Sequence, residues 1–265
     1  MIAPEACNTR RLPTGFGEII HLRVPHGTAA ADIMRRMTSA VYFAMWMTAL
    51  LISAIFHEQW HARVALWLGD PTAKAENRLS WNPRYHIDPF MSILLPLMLY
   101  FTTGTAFGGA KPVRVNPMDF RHPMLGNALV AAAGPISNLF LALLTFGILA
   151  LLWVADKGAL YDGERATFNA VFLFIFLFTN VLLAAFNILP FPGLDGSRIL
   201  YLFLPRAGRA LLDAVEPYAL LVTFMLIRVG AGNILAPVYR LLFALIRGVF
   251  GDEFLAAVGR ALAGQ

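Results

Sequence analysis

The stretch VYFAMWMTALLISAIFHEQWHARVALWL, residues 41–68, is an apolar run long enough to cross a bilayer, and it carries His57-Glu58-Gln59-Trp60-His61 inside it. Positions four apart share one face of a helix, so His57 and His61 present two imidazoles to one point while Glu58 lies beside them. A charged group at the centre of a membrane helix costs about 2.5–3.5 kcal/mol on insertion scales. Three ionisable side chains in such a place therefore imply a task, and holding a metal ion is the task that fits their spacing.

The rest of the chain agrees with a membrane setting. Its 265 residues are 58% hydrophobic and only 14% charged, against roughly 25% charged in an average soluble domain. Cys7 is the single cysteine, which excludes a disulfide framework and a cysteine-rich zinc site and leaves His, Asp and Glu to hold any metal. The net charge of +5 is spread singly through loops rather than gathered in a stripe, so anionic lipid is the expected partner and nucleic acid is not. Residues 1–37 form a polar tail with Arg10, Arg11, Arg23, Arg35 and Arg36 and without the apolar run of a signal peptide. Residues 38–265 form one membrane domain, with a core at about 41–204 and C-terminal helices at about 207–251.

The pattern predicts an all-α polytopic membrane protein of about five to six transmembrane helices, with a re-entrant segment and a short extended loop at the membrane edge. After the first span, which stops at Gly69-Asp70-Pro71, spans are expected near 125–154, 167–189, 211–229 and 234–250. Residues 90–101 are apolar but short and carry Pro96, so we read them as re-entrant. The glycines and prolines of residues 107–117 exclude a helix; extended backbone there needs partners for its amides, and a bound peptide strand is one such partner.

Two histidines on one helix need a third ligand, since zinc hydrolases commonly use three protein ligands and leave the fourth position to water. Asp195, on a broken stretch between Gly193 and Gly196, is the strongest candidate; capping of the helix that follows is its plainer role. A metal held this way acidifies a water molecule, and Glu58 is placed to take the proton as general base and to return it to the leaving amine. Asn187, at the end of a span, suits stabilisation of an oxyanion, with helix capping the alternative. Asn138, in Gly134-Pro135-Ile136-Ser137-Asn138, is first a packing residue and second a participant in catalysis. His86 and Asp88 are candidates for orienting the zinc histidines, though turn formation suits loop residues beside prolines. Lys111 and Pro112 are candidate substrate contacts on the extended loop. His21, His26 and His122 lie in polar surroundings and are expected to be solvated.

With these residues assembled, the chain resembles the site-2 protease family of intramembrane zinc metalloproteases, in the compact prokaryotic branch without a PDZ or CBS domain. The resemblance rests on the HExxH pentad at 57–61 and on Asn187, Pro190, Leu194, Asp195 and Gly196 of an Asn-x-x-Pro-x-x-x-Leu-Asp-Gly motif. It rests further on Asn82 to Pro89, Ala110 to Val113, and Gly134 to Asn138. It implies one Zn²⁺ per chain on His57, His61 and Asp195, Glu58 as base, Asn187 as a substrate or oxyanion contact, and a transmembrane protein as substrate.

If residues 90–101 crossed fully, His57 and Asp195 would approach opposite faces, so the re-entrant reading is also the one that lets them share an ion. The loops bearing Lys74, Arg78, Arg84, Lys111, Arg114, Arg121, Arg198, Arg206 and Arg209 then share that face, which the positive-inside rule makes cytoplasmic in a prokaryotic inner membrane. Arg35 and Arg36 favour the opposite sense unless the tail lies along the interface. A homo-oligomer is compatible with such a chain. Two other activities fit less well: an intramembrane metal transporter, which needs repeated weak ligands where one constellation is seen, and a catalytically inert membrane scaffold, which would not need complete motifs.

Overall fold

The computed structural model describes residues 29–103, 108–163, 165–229 and 231–262. Residues 1–28 of the expected tail, including Cys7, His21 and His26, lie outside the described residues, as do residues 104–107 of the loop.

Helix α1 (Ala29–Trp67) contains the opening stretch and ends one residue before the Leu68-Gly69 turn. A short re-entrant-like element follows: a π-type turn, Pro89–Leu94, leads into α2 (Leu95–Thr103). The long α3 (Pro123–Ala155) and α4 (Phe168–Asn187) come next, then α5 (Asp195–Phe203), α6 (Arg206–Val215), α7 (Ala219–Val229) and α8 (Ala231–Leu262). Among the described residues there is no β-strand.

Three helices among the described residues are long and apolar enough to cross a membrane: Ala40–Trp67, Pro123–Ala155 and Phe168–Asn187. They also form the packed centre, since α3 lies against both α1 and α4 and α1 lies against α4. At 33 residues, α3 is about 50 Å long and exceeds the hydrocarbon thickness of about 30 Å. The face bearing Ile136, Phe140, Leu143 and Leu151 is exposed apolar surface, suited to lipid. The expected span at 211–229 is instead divided: α6 and α7 are separated by a 3₁₀ turn at Glu216–Tyr218, because Pro217 has no amide hydrogen to continue the ladder. The last helix kinks at Gly251 and folds Phe250 and Phe254 onto Leu149, Phe174 and Phe178.

The short apolar element enters and leaves on one side. The amide of Gly109 donates to the Met91 carbonyl at 3.1 Å and that of Lys111 to the His86 carbonyl at 2.7 Å. Ser92 Oγ donates to the Gly109 carbonyl at 2.7 Å. The chain that returns from α2 is thus bonded to the chain that enters it, which a full crossing would forbid. Asp88 caps the entry, accepting from the amides of Phe90 and Met91 at 2.9 and 2.8 Å.

Candidate metal centre

His57 and His61 lie one above the other on α1, and α5 brings Asp195 to them. Asp195 Oδ2 is 3.2 Å from His57 Nε2 and 3.3 Å from His61 Nε2, and the two Nε2 atoms are 2.9 Å apart. Ligands at about 2.0–2.1 Å from a tetrahedral ion lie about 3.3 Å from one another, so these atoms occupy three corners of such a site. Asp195 is the first residue of its helix and Leu194 occupies the cap position without a side-chain bond, so the carboxylate is not spent on capping.

The outer nitrogens show why a cation suits these atoms. His61 Nδ1 lies 2.7 Å from the Val130 carbonyl, which can only accept, so Nδ1 carries the proton and Nε2 presents a lone pair. His57 Nδ1 lies 2.6 Å from Asn138 Oδ1; because Asn138 Nδ2 donates to the Ser53 carbonyl and to Asn180, its oxygen accepts from Nδ1 and the ring turns Nε2 towards Asp195. Two imidazole nitrogens and a carboxylate oxygen thus converge on one point, a donor set that suits a cation.

Two glycines permit the assembly. A Cβ on Gly134 would stand 2.5 Å from His57 Nε2 and would also meet His61 Nε2, so only glycine lets α3 lie over the two rings. A Cβ on Gly196 would strike the carbonyls of Ile188 and Leu189. Its absence lets α5 begin against the end of α4 and points Asp195 back towards α1.

Glu58 is half-buried beside the histidines, and its Oε2 accepts the amide of Val113 at 2.7 Å. The extended loop is therefore not waiting for a partner along this edge: the amides of Gly109, Lys111, Val113 and Asn116 all have acceptors within the chain, the last being Asp70 Oδ2 at 2.7 Å. Lys111 and Pro112 are exposed. Arg78, which sequence alone groups with the surface cations, is buried at 2% exposure and donates to the carbonyls of Tyr85 and Lys111, tying two loops together.

The structure does not bring His86 or Asp88 to the zinc histidines. His86 is fully buried, with Nε2 donating to the Ser80 carbonyl at 2.7 Å; Gln59 Nε2 donates to the same carbonyl and to that of Arg78 at 3.1 Å, which fastens the loop at 78–86 to the pentad's third residue. Burial, opposed by the bond to Ser80 and reinforced by the charge of Arg78, pushes its pKa below the usual histidine value. Asp88 is a cap. Asn187 Nδ2 donates to the Leu183 carbonyl one turn back at 3.0 Å, the local bond of a helix end. His122 is exposed, as expected. Sequence reasoning missed Asn180 and Ser53, both fully buried beside Asn138; a polar residue at the middle of an apolar span was the available signal.

Residues 159–230 match the family described as Peptidase family M50. Relatives of the chain carry the name "Putative zinc metalloprotease". YwhC of Bacillus subtilis (strain 168) is 38% identical over 184 residues, covering 69% of this chain and 80% of the relative. Rip2 of Mycolicibacterium smegmatis is 32% identical over 200 residues, covering 75% and 72%. No solved structure matches. The chain belongs to peptidase family M50, the site-2 protease family. It is a membrane metalloendopeptidase of that type.

Proposed function

We propose that this chain hydrolyses peptide bonds within or near transmembrane segments of other membrane proteins, with one zinc ion held by His57, His61 and Asp195. The observation that carries the reading is the buried convergence of two imidazole lone pairs and one carboxylate oxygen at 2.9–3.3 Å. An ion held by these residues would supply an acidified water and a Lewis acid for the scissile carbonyl. Glu58, with Oε2 held by Val113, keeps Oε1 to receive the proton from water and to pass it to the departing amine. His57 and His61 keep their outer N–H groups on Asn138 and Val130, which holds both rings in the ligating tautomer. Asn187 serves the substrate carbonyl once its amide leaves Leu183.

The membrane domain comprises residues 38–265, lying in the lipid bilayer of a prokaryotic inner membrane with the site open to the cytoplasm, where the basic loops belong. Lys111, Pro112 and Arg114, which are exposed on this loop, would contact an unwound substrate segment.

Glu58→Gln should retain stoichiometric zinc and lose cleavage of a helical membrane substrate in proteoliposomes. Undiminished cleavage in that variant would refute the assigned base; zinc flux surviving it would favour a transporter.

A further inference from the structure

Asn138 does not act on His57 alone. Its Nδ2 donates to Asn180 Oδ1 at 2.9 Å and to the Ser53 carbonyl at 3.3 Å. Asn180 Nδ2 in turn donates to the Phe176 carbonyl and to Ser53 Oγ, both at 2.9 Å. Ser53, Asn138 and Asn180 are each fully buried, and they come from α1, α3 and α4.

The direction of every bond in this chain is set by backbone. The Phe176 carbonyl can only accept, so the Asn180 amide turns its NH₂ inward along α4 and its oxygen towards Asn138. That oxygen and the Ser53 carbonyl take the Asn138 NH₂, so Asn138 must offer its oxygen to His57. His57 Nδ1 must then carry the proton, and Nε2 is left as a lone pair facing His61 and Asp195. A reversed Asn138 amide would present hydrogens to Nδ1 and place the ring proton on Nε2, where no metal could bind.

We infer that Asn180 is a positioning residue of the metal centre: through Asn138 it fixes which nitrogen of His57 faces His61 and Asp195. Without it, Asn138 is held in the ligating sense only by Ser53, through the longest bond of the set. This rests on the zinc reading above and reaches one helix further, to a residue that touches neither metal nor substrate.

The test measures zinc affinity by chelator competition on the purified full chain in detergent, together with the melting temperature of the metal-free protein. Asn180→Leu is expected to weaken zinc about 10- to 100-fold, the usual effect of losing an outer partner of a metal-bound histidine. Asn180→Asp keeps an acceptor oxygen for Asn138 while losing the donor to Phe176, and should weaken zinc less than Asn180→Leu does. Thr179→Val, at the neighbouring buried position, should change nothing. Should Asn180→Leu not fold, Asn180→Ala is measured in its place with the same expectation. An Asn180 that only glues helices together would lower the melting temperature and leave zinc affinity unchanged, and that result overturns the inference. A parent chain that binds no zinc overturns the metal centre itself and this inference with it; one zinc in the parent and equal affinity in the Leu variant overturns the positioning role alone.

Discussion

Replacing Gly134 by alanine tests the metal centre through packing rather than through a ligand. The added Cβ would lie 2.5 Å from His57 Nε2 and Cε1, whereas ordinary contact begins at 3.4 Å. The difference, 3.4 − 2.5, requires a separation of about 0.9 Å between α3 and the rings, while metal–ligand distances tolerate about 0.2 Å. Neither ring can swing aside freely, because Asn138 and Val130 hold the outer nitrogens and both partners ride on α3 itself. Overpacking of this size costs about 1–3 kcal/mol, which disturbs the site without abolishing the fold. We expect Gly134→Ala to insert and purify normally, to bind zinc at least about 10²-fold more weakly, and to lose proteolysis in proportion. Zinc content by atomic absorption and affinity by chelator competition decide the matter. Wild-type affinity in this variant would show that α3 is not seated against the histidines and would sink the geometry from which the site is built.

Val113→Pro removes the amide that donates to Glu58 while leaving every ligand in place; a hydrogen bond to a charged group contributes about 1.5–3 kcal/mol, so cleavage should fall at least about tenfold with zinc affinity unchanged, and equal loss of both would contradict the division of roles. His86, whose pKa is lowered on burial from 6.5, binds its proton more readily in the unfolded chain. Its contribution to stability is therefore complete above pH 6.5 and declines as pH falls below that value. The melting temperature of the wild type should drop more steeply between pH 7 and the acid side of about pH 6 than that of His86→Gln, which keeps a donor for Ser80; parallel curves would remove His86 as the source.

The pentad was legible because its meaning is local: a spacing of four, close to one 3.6-residue turn, puts His57 and His61 on one face wherever the helix lies. Asp195 was legible because glycines on either side and an unusual setting after an apolar span marked it, and the shortness of residues 90–101 forecast a chain that turns back. His86 was not legible in the same way. A histidine between prolines carries no sign of whether it will meet a metal ligand or, as here, the side chain of Gln59.

Sequence by itself determined the membrane class, the candidate ligands, the candidate base and the order of the principal helices: composition and spacing within an element marked most of them, and its setting between glycines after an apolar span marked Asp195. Tertiary structure alone decided what holds the ligands. The partner of His57 is 81 residues away, that of His61 is 69 away, and the amide on Glu58 is 55 away. No periodicity records such distances, because they are set by how closely α3 approaches α1 at Gly134 and by where the extended loop returns. The opening stretch carries the two imidazoles proposed to hold a metal, and the packing of α3 and α4 upon it sets which nitrogen each turns towards Asp195.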